Sequence, residues 1–245
     1  MKTENIRFYS CHLDREMECK LYGHGGQPIL FIPCQDGRFF DFENFHMTDT
    51  FGQWLENGEV CVLAVDTIDK ETWSEPLTPA FDRIRRHEAW MEYLVGEAVP
   101  LLHQATGRQD VIAFGCSLGA THAVNLFLRF PDTFDGCLAL SGIYDAAYGF
   151  GDYMDEIVYR NSPVHYMENL PWDHPYVEKY NRGRGIICVG TGAWEIPDTT
   201  FRLKELFDQK GIRIWVDVWG SDVEHDWPWW HKQVSYFVPK LLGKE

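Results

Sequence analysis

The chain has 245 residues, 45% hydrophobic and 15% aromatic, enough for one sizeable α/β domain, and no apolar run approaches the length of a membrane span. Lys and Arg number 22 against 37 Asp and Glu, a net charge of −15. That balance argues against a nucleic-acid partner or an anionic membrane surface, both of which call for a basic patch.

Residues 1–7 contain no apolar stretch, so no signal peptide is read there. Strand-like runs at 6–10 and 17–22 follow one another without a helix, which predicts an antiparallel edge. A third run, 29–33, leads into the loop Pro33-Cys34-Gln35-Asp36-Gly37-Arg38. A helix falls within 40–57 and a strand at 60–66. The longest helical stretch is 83–106, with Trp90, Leu94, Ala98, Leu101 and Ala105 at helical spacing and Gly107 as its stop.

Next comes a short apolar run at 110–114, then Gly115-Cys116-Ser117-Leu118-Gly119, then a helical pattern at 121–130 closed by Pro131. A further strand is predicted at 136–141. The segment 144–184 is rich in Tyr, Asp, Asn, Pro and Trp and weakly periodic, and reads as a cap or substrate-loop insertion over the carboxyl ends of the strands. A strand at 186–190, a helix at 199–210, a strand at 212–219 and a helix at 228–242 complete the chain. Strands separated by helices imply a mostly parallel central sheet with helices on both faces. No boundary divides 1–245, so a single domain is expected.

The sharpest signal is G-x-S-x-G between a buried strand and a helix, the context of a nucleophile elbow. The serine sits in a strained turn, so its neighbours must be small, and the helix behind it offers free N–H groups to a developing anion. A serine hydroxyl needs a base, and the base needs an orienting acid. In this arrangement the order along the chain is Ser, acid, His. His225 fits as base: it follows the 212–219 strand by a short loop and precedes the last helix. His87, His103, His122 and His231 lie in predicted helices. His12, His24 and His46 precede the serine, and His165 and His174 fall in the insertion. The loop 191–198 supplies the acid. Glu195 is favoured; Asp198 is the alternative, although an N-cap role for the following helix accounts for it. Asp222 stands too close to His225 to match the usual spacing. Leu118 N–H is one expected oxyanion donor. The second is placed at Gln35, with Cys34 or Asp36 as the register alternatives. The five Trp near these loops (172, 194, 227, 229 and 230) either pack or line a pocket. Trp194, Trp227 and Cys34 are the substrate-contact candidates.

Taken together, Gly115-Cys116-Ser117-Leu118-Gly119, Gly190-Thr191-Gly192-Ala193-Trp194-Glu195 and Gly220 to Trp230, with its His225-Asp226-Trp227, resemble the esterase D and antigen 85-like branch of the α/β-hydrolases. The resemblance spans 6–242 and includes feruloyl esterases, S-formylglutathione hydrolases and mycolyltransferases. It implies an α/β-hydrolase fold and carboxylester hydrolysis of a small-molecule ester with no metal or organic cofactor. The loop after the third strand lacks the family's commoner His-Gly or Asp-Gly-Leu form. An acyltransferase with the same residues, or a non-catalytic binding protein on this scaffold, are the competing readings. A metal site built from Asp222, His225 and His231 is a weaker one. Seven Cys without a CxxC pair, mostly in apolar runs, read as reduced thiols and place the protein in the cytoplasm. A homo-oligomer is compatible with the sequence.

Overall fold

Side chains on successive strand residues point to opposite faces of a sheet, and here both faces are covered. The computed structural model describes residues 1–244. Its strands are β1 (Thr3–Ser10), β2 (Arg15–Tyr22), β3 (Gln27–Ile32), β4 (Val60–Val65), β5 (Val111–Cys116), β6 (Phe134–Leu140), β7 (Arg184–Val189) and β8 (Trp215–Val218). They form one sheet in the order β1-β2-β4-β3-β5-β6-β7-β8. β1 pairs antiparallel with β2, and β2 antiparallel with β4; every later pairing is parallel. The expected mostly parallel sheet with an antiparallel N-terminal edge is therefore present.

The period-2 division is visible in the core. Leu30, Ile32, Leu63, Val65 and Ala113 pack on one side, while Ile29, Phe31, Val62, Ala64, Ile112 and Phe114 pack on the other. The second side is covered by α1 (Asp41–Asn44), α2 (Met47–Glu56) and α11 (Trp227–Leu241), through Phe42, Phe51, Leu55, Val234 and Phe237. The first is covered by α3 (Ala80–Tyr93), α4 (Val99–Thr106), α5 (Leu118–Arg129) and α10 (Asp198–Lys210), through Trp90, Leu102, Val124 and Leu203.

Three boundaries differ from the sequence reading for identifiable reasons. The helix expected at 83–106 begins at Ala80 and passes through a π-helical turn, Leu94–Ala98, before α4. Pro100 has no N–H for the carbonyl four residues back, and the wider turn absorbs that gap. The strand expected at 212–219 is only Trp215–Val218. Gly211 ends α10 in the left-handed conformation, and the Ile212 N–H donates back to Phe207 O at 2.9 Å, so Ile212 belongs to the helix cap. The helix after the elbow starts at Leu118, immediately behind Ser117.

Segment 144–184 forms α6 (Ala147–Phe150), α7 (Glu156–Arg160), α8 (Pro163–Asn169) and α9 (Pro175–Arg182). Ala146, Phe150 and Val158 gather with Trp73, Ile84 and Leu118 beside the elbow. Tyr144, Met167 and Tyr180 instead enter the main core. The segment thus contributes to the main core from its first residue as well as from its later half.

Phe114 lies between Phe31, at 5.2 Å between ring centroids, and Phe51, at 5.6 Å. Phe114→Ala is expected to cost about 3–5 kcal/mol of unfolding free energy, measured by urea denaturation.

Candidate active site

β5 ends at Cys116, and Ser117 turns the chain with φ 56° and ψ −129°. Left-handed backbone at a residue with a Cβ is strained, so the surroundings must hold it. A Cβ at Gly115 would run into the Gly119 carbonyl, and one at Gly119 would run into the Ile32 and Pro33 carbonyls. Both glycines are therefore required by close backbone approach. The turn is pinned by Ser117 N–H donating to Leu140 O at 2.8 Å.

Ser117 Oγ stands 2.9 Å from His225 Nε2, and His225 Nδ1 stands 3.3 Å from Glu195 Oε2. A carboxylate only accepts, so the proton between His225 and Glu195 belongs on Nδ1, and Nε2 is left to accept from the serine hydroxyl. The Glu195 side chain is 1% exposed and that of His225 22%. Glu195 Oε1 accepts from Ser141 Oγ at 2.7 Å and from Gly190 N–H at 3.1 Å. Ser141 Oγ accepts in turn from Trp230 Nε1 at 3.0 Å, and the Trp230 ring meets His225 edge-on at 5.1 Å between centroids.

The two loops are tied together: Gly192 N–H donates to Val223 O at 2.9 Å and His225 N–H to Ala193 O at 3.0 Å. A Cβ at Gly192 would sit 2.5 Å from that Val223 oxygen, so glycine is needed for the tie.

Asp198 does not join this chain of bonds. It is the first residue of α10, behind Pro197 as N-cap. The N-cap reading of Asp198 is therefore corrected, and the carboxylate beside His225 is Glu195; Asp198 offers favourable charge in the first helical turn. The metal reading also fails on placement. His231 Nδ1 bonds Thr50 Oγ1 at 2.7 Å on the α2–α11 side, His225 faces Ser117, and Asp222 is exposed.

Leu118 is the first residue of α5, where an N–H has no partner inside the helix. In the loop after β3, Gly37 N–H donates to Cys34 O at 2.9 Å, closing a turn around Gln35 and Asp36. Asp36 N–H donates to Asp69 Oδ2 at 3.2 Å, which removes Asp36 from the oxyanion alternatives. The Gln35 side chain is fixed at both ends: Nε2 donates to Ser74 Oγ at 2.7 Å, and Oε1 accepts from Tyr148 at 2.9 Å.

Trp194 is 88% exposed on the loop that carries Glu195. Trp227 stacks on Phe45 at 4.3 Å with rings 4° apart, so packing accounts for it. The Cys34 thiol sits against the second-face core, and burial, reinforced by Asp41, pushes it up to about 12. Ser141, Gly190 and Trp230 are the supports that sequence reasoning missed. Only the position of Ser141 just after the strand neighbouring β5 would have pointed to it.

The strand order, the elbow after β5 and the loop placement define an α/β-hydrolase fold. The family model described as Putative esterase matches residues 10–240, so the chain belongs to that esterase family and is a carboxylic ester hydrolase. Among solved structures, a ferulic acid esterase is similar with TM-score 0.78 at 14% identity, covering 99% of this chain and 98% of that one. The S-formylglutathione hydrolase of Staphylococcus aureus gives 0.72 at 11%, covering 98% and 96%. MPT51 of Mycobacterium tuberculosis gives 0.72 at 14%, covering 99% and 98%. No curated protein matches the sequence.

Two outcomes follow from these contacts. Ser141→Ala leaves Trp230 Nε1 unpaired in the core and strips Glu195 of one donor, a loss of about 1–3 kcal/mol in unfolding free energy, measurable by chemical denaturation. Because burial raises the Cys34 pKa to about 12, its thiolate is about one part in ten thousand at pH 8. Alkylation by iodoacetamide at that pH is expected at exposed Cys11 and not at Cys34, as read by peptide mass spectrometry.

Proposed function

We propose that the protein hydrolyses a small or aromatic carboxylic ester through an acyl-enzyme on Ser117. The observation that carries this reading is the 2.9 Å contact between Ser117 Oγ and His225 Nε2, within the range a general base needs. Ser117 Oγ attacks the ester carbonyl carbon while His225 takes its proton. Glu195 holds the imidazole in the required tautomer and stabilises the imidazolium. The carbonyl oxygen, now an anion, is received by the N–H groups of Leu118 and Gln35. The tetrahedral species collapses, the alkoxide leaves with the proton from His225, and Ser117 keeps the acyl group. Water then attacks that carbonyl with His225 as base, releasing the carboxylic acid and restoring the serine.

An aromatic acyl group is supported by Trp194, a large apolar side chain 88% exposed on the acid loop, and by similarity to proteins named as ferulic acid esterases. Seven free cysteines, five of them buried, suit a reducing compartment such as the cytoplasm.

Hydrolysis of short p-nitrophenyl and feruloyl esters tests the reading. Ser117→Ala is expected to lower kcat by about 10⁴-fold or more and Glu195→Gln by about 10³–10⁴-fold. Asp198→Asn is expected to stay within about twofold of wild type. Full activity in Ser117→Ala, or a larger loss in Asp198→Asn than in Glu195→Gln, refutes the assignment.

A further inference from the structure

Asp69 follows β4 at the head of a short 3-10 turn, Asp69–Glu71, and its side chain is 1% exposed. Burying a carboxylate is unfavourable unless hydrogen bonds replace its water. The buried Asp66 nearby is paired with the Arg38 guanidinium. Asp69 has instead two weaker donors: Asp36 N–H at 3.2 Å on Oδ2 and His122 Nε2 at 3.2 Å on Oδ1.

Those donors belong to two separate pieces of chain. Asp36 is the residue after Gln35, in the loop that follows β3. His122 is on α5, four residues after Leu118 and so one turn along the same helix face. Asp69 therefore bridges the two segments that carry the proposed oxyanion donors.

The bridge acts on a strained peptide. Asp36 has φ 62°, the third position of the turn closed by Gly37 N–H and Cys34 O, where Gly or Asn is the ordinary occupant. The bond to Asp69 fixes the peptide plane between Gln35 and Asp36 in that orientation. The same turn also holds the Gln35 side chain, because Ser74, its partner, donates its own N–H to Asp69 O at 2.8 Å. Thr67 Oγ1, two residues before Asp69, donates to Gly37 O at 2.9 Å. On the α5 side the His122 ring is wedged between Trp73, Trp90 and His87, with centroids 5.0–5.5 Å away. His87 accepts from Trp73 Nε1, and burial, followed by the nearby His122, keeps its pKa well below the usual value. The neighbouring His87 ring is thus held in its neutral form.

We propose that Asp69 is a positioning residue that sets the distance and orientation of the Gln35 N–H relative to the Leu118 N–H. This rests on the reading of Ser117, Leu118 and Gln35 given under Proposed function. Donors aimed at a developing oxyanion stabilise the transition state more than the bound ester, so a loosened bridge lowers kcat and leaves KM in place.

The test uses the full chain with a short p-nitrophenyl ester, with reactive sites counted by fluorophosphonate titration and folding checked by thermal melts. Asp69→Ala is expected to lower kcat per titrated site by about 10- to 100-fold, with KM within about threefold and binding of a trifluoromethyl ketone weakened in parallel with kcat. Asp69→Asn keeps an oxygen for Asp36 N–H and is expected to recover most of that loss. If Asp69→Ala does not fold, Asp69→Ser, too short to reach either partner, takes its place. The proposal is overturned if folded Asp69→Ala keeps kcat and ketone affinity within about twofold of wild type, if only KM changes, or if Asp69→Asn falls as far as Asp69→Ala. A wild-type chain that neither titrates nor cleaves ester overturns the underlying reading itself, a result distinct from all of these.

Discussion

Everything at this site hangs on how closely three backbones approach around Ser117. Gly115 lies against the Gly119 carbonyl, and Gly119 lies against the carbonyls of Ile32 and Pro33. The end of β5, the start of α5 and the end of β3 therefore meet with no side chain between them. A residue held at φ 56° carries a strain of about 1–3 kcal/mol. It is sustained by a fully buried β5 beneath and by an α5 in which 11 residues are buried. The same approach brings the loop after β3 to the N-terminus of α5, so the strain at Ser117 and the placement of the proposed oxyanion donors have one cause.

The remaining members are supplied by successive strands on one side of β5. β5 delivers Ser117, β6 delivers Ser141, the loop after β7 delivers Glu195, and the loop after β8 delivers His225. Parallel strands present all their carboxyl ends at one edge, which is why residues more than 100 positions apart in sequence meet there. The cross-loop bonds of Gly192 and His225 continue the pairing of β7 with β8 beyond the sheet. The loops that carry Glu195 and His225 are thereby held to each other directly. Trp230 then closes the arrangement from α11, donating to Ser141 and packing its ring perpendicular to that of His225.

The alternation of strands and helices, the elbow, His225 and Glu195 were all legible in the sequence, because each is written locally: an apolar run, a glycine pair, a loop of the right length in the right order. Ser141 was not, since a serine just after a strand has no local signature and acquires its place only when β6 lies beside β5. The break in the long helix at Leu94–Ala98 was obscured because its apolar spacing continues through the π-turn. Asp198 misled for an instructive reason. An Asp after Pro at a helix start ordinarily reads as a cap, but Pro197 itself occupies that position. The polar, aromatic segment at 144–184 concealed Met167 and Tyr180 as core residues, because short helices of four to eight residues show too few turns for a period to emerge.

Two buried carboxylates flank Ser117, and neither has an arginine or lysine partner among the described residues: Glu195 on the base side and Asp69 beside the loop after β3. Elsewhere in the molecule the partly buried acids Asp66, Glu88 and Asp110 are paired with Arg38, Arg129 and Arg108. The difference has a physical meaning. A guanidinium beside a carboxylate cancels most of its field at a few ångströms, whereas backbone and hydroxyl donors satisfy its lone pairs and leave the charge in place. For Glu195 the hydroxyl and backbone donors sit on Oε1, and Oε2 is left facing His225 Nδ1. For Asp69 the donors are one backbone N–H and one imidazole. Asp69 faces Asp36 N–H, one residue behind Gln35, on one oxygen and His122 on the other. The polarity of those donors, N–H toward the carboxylate, tethers the loop by its far side and keeps Asp69 off the N–H of Gln35 proposed as the second oxyanion donor.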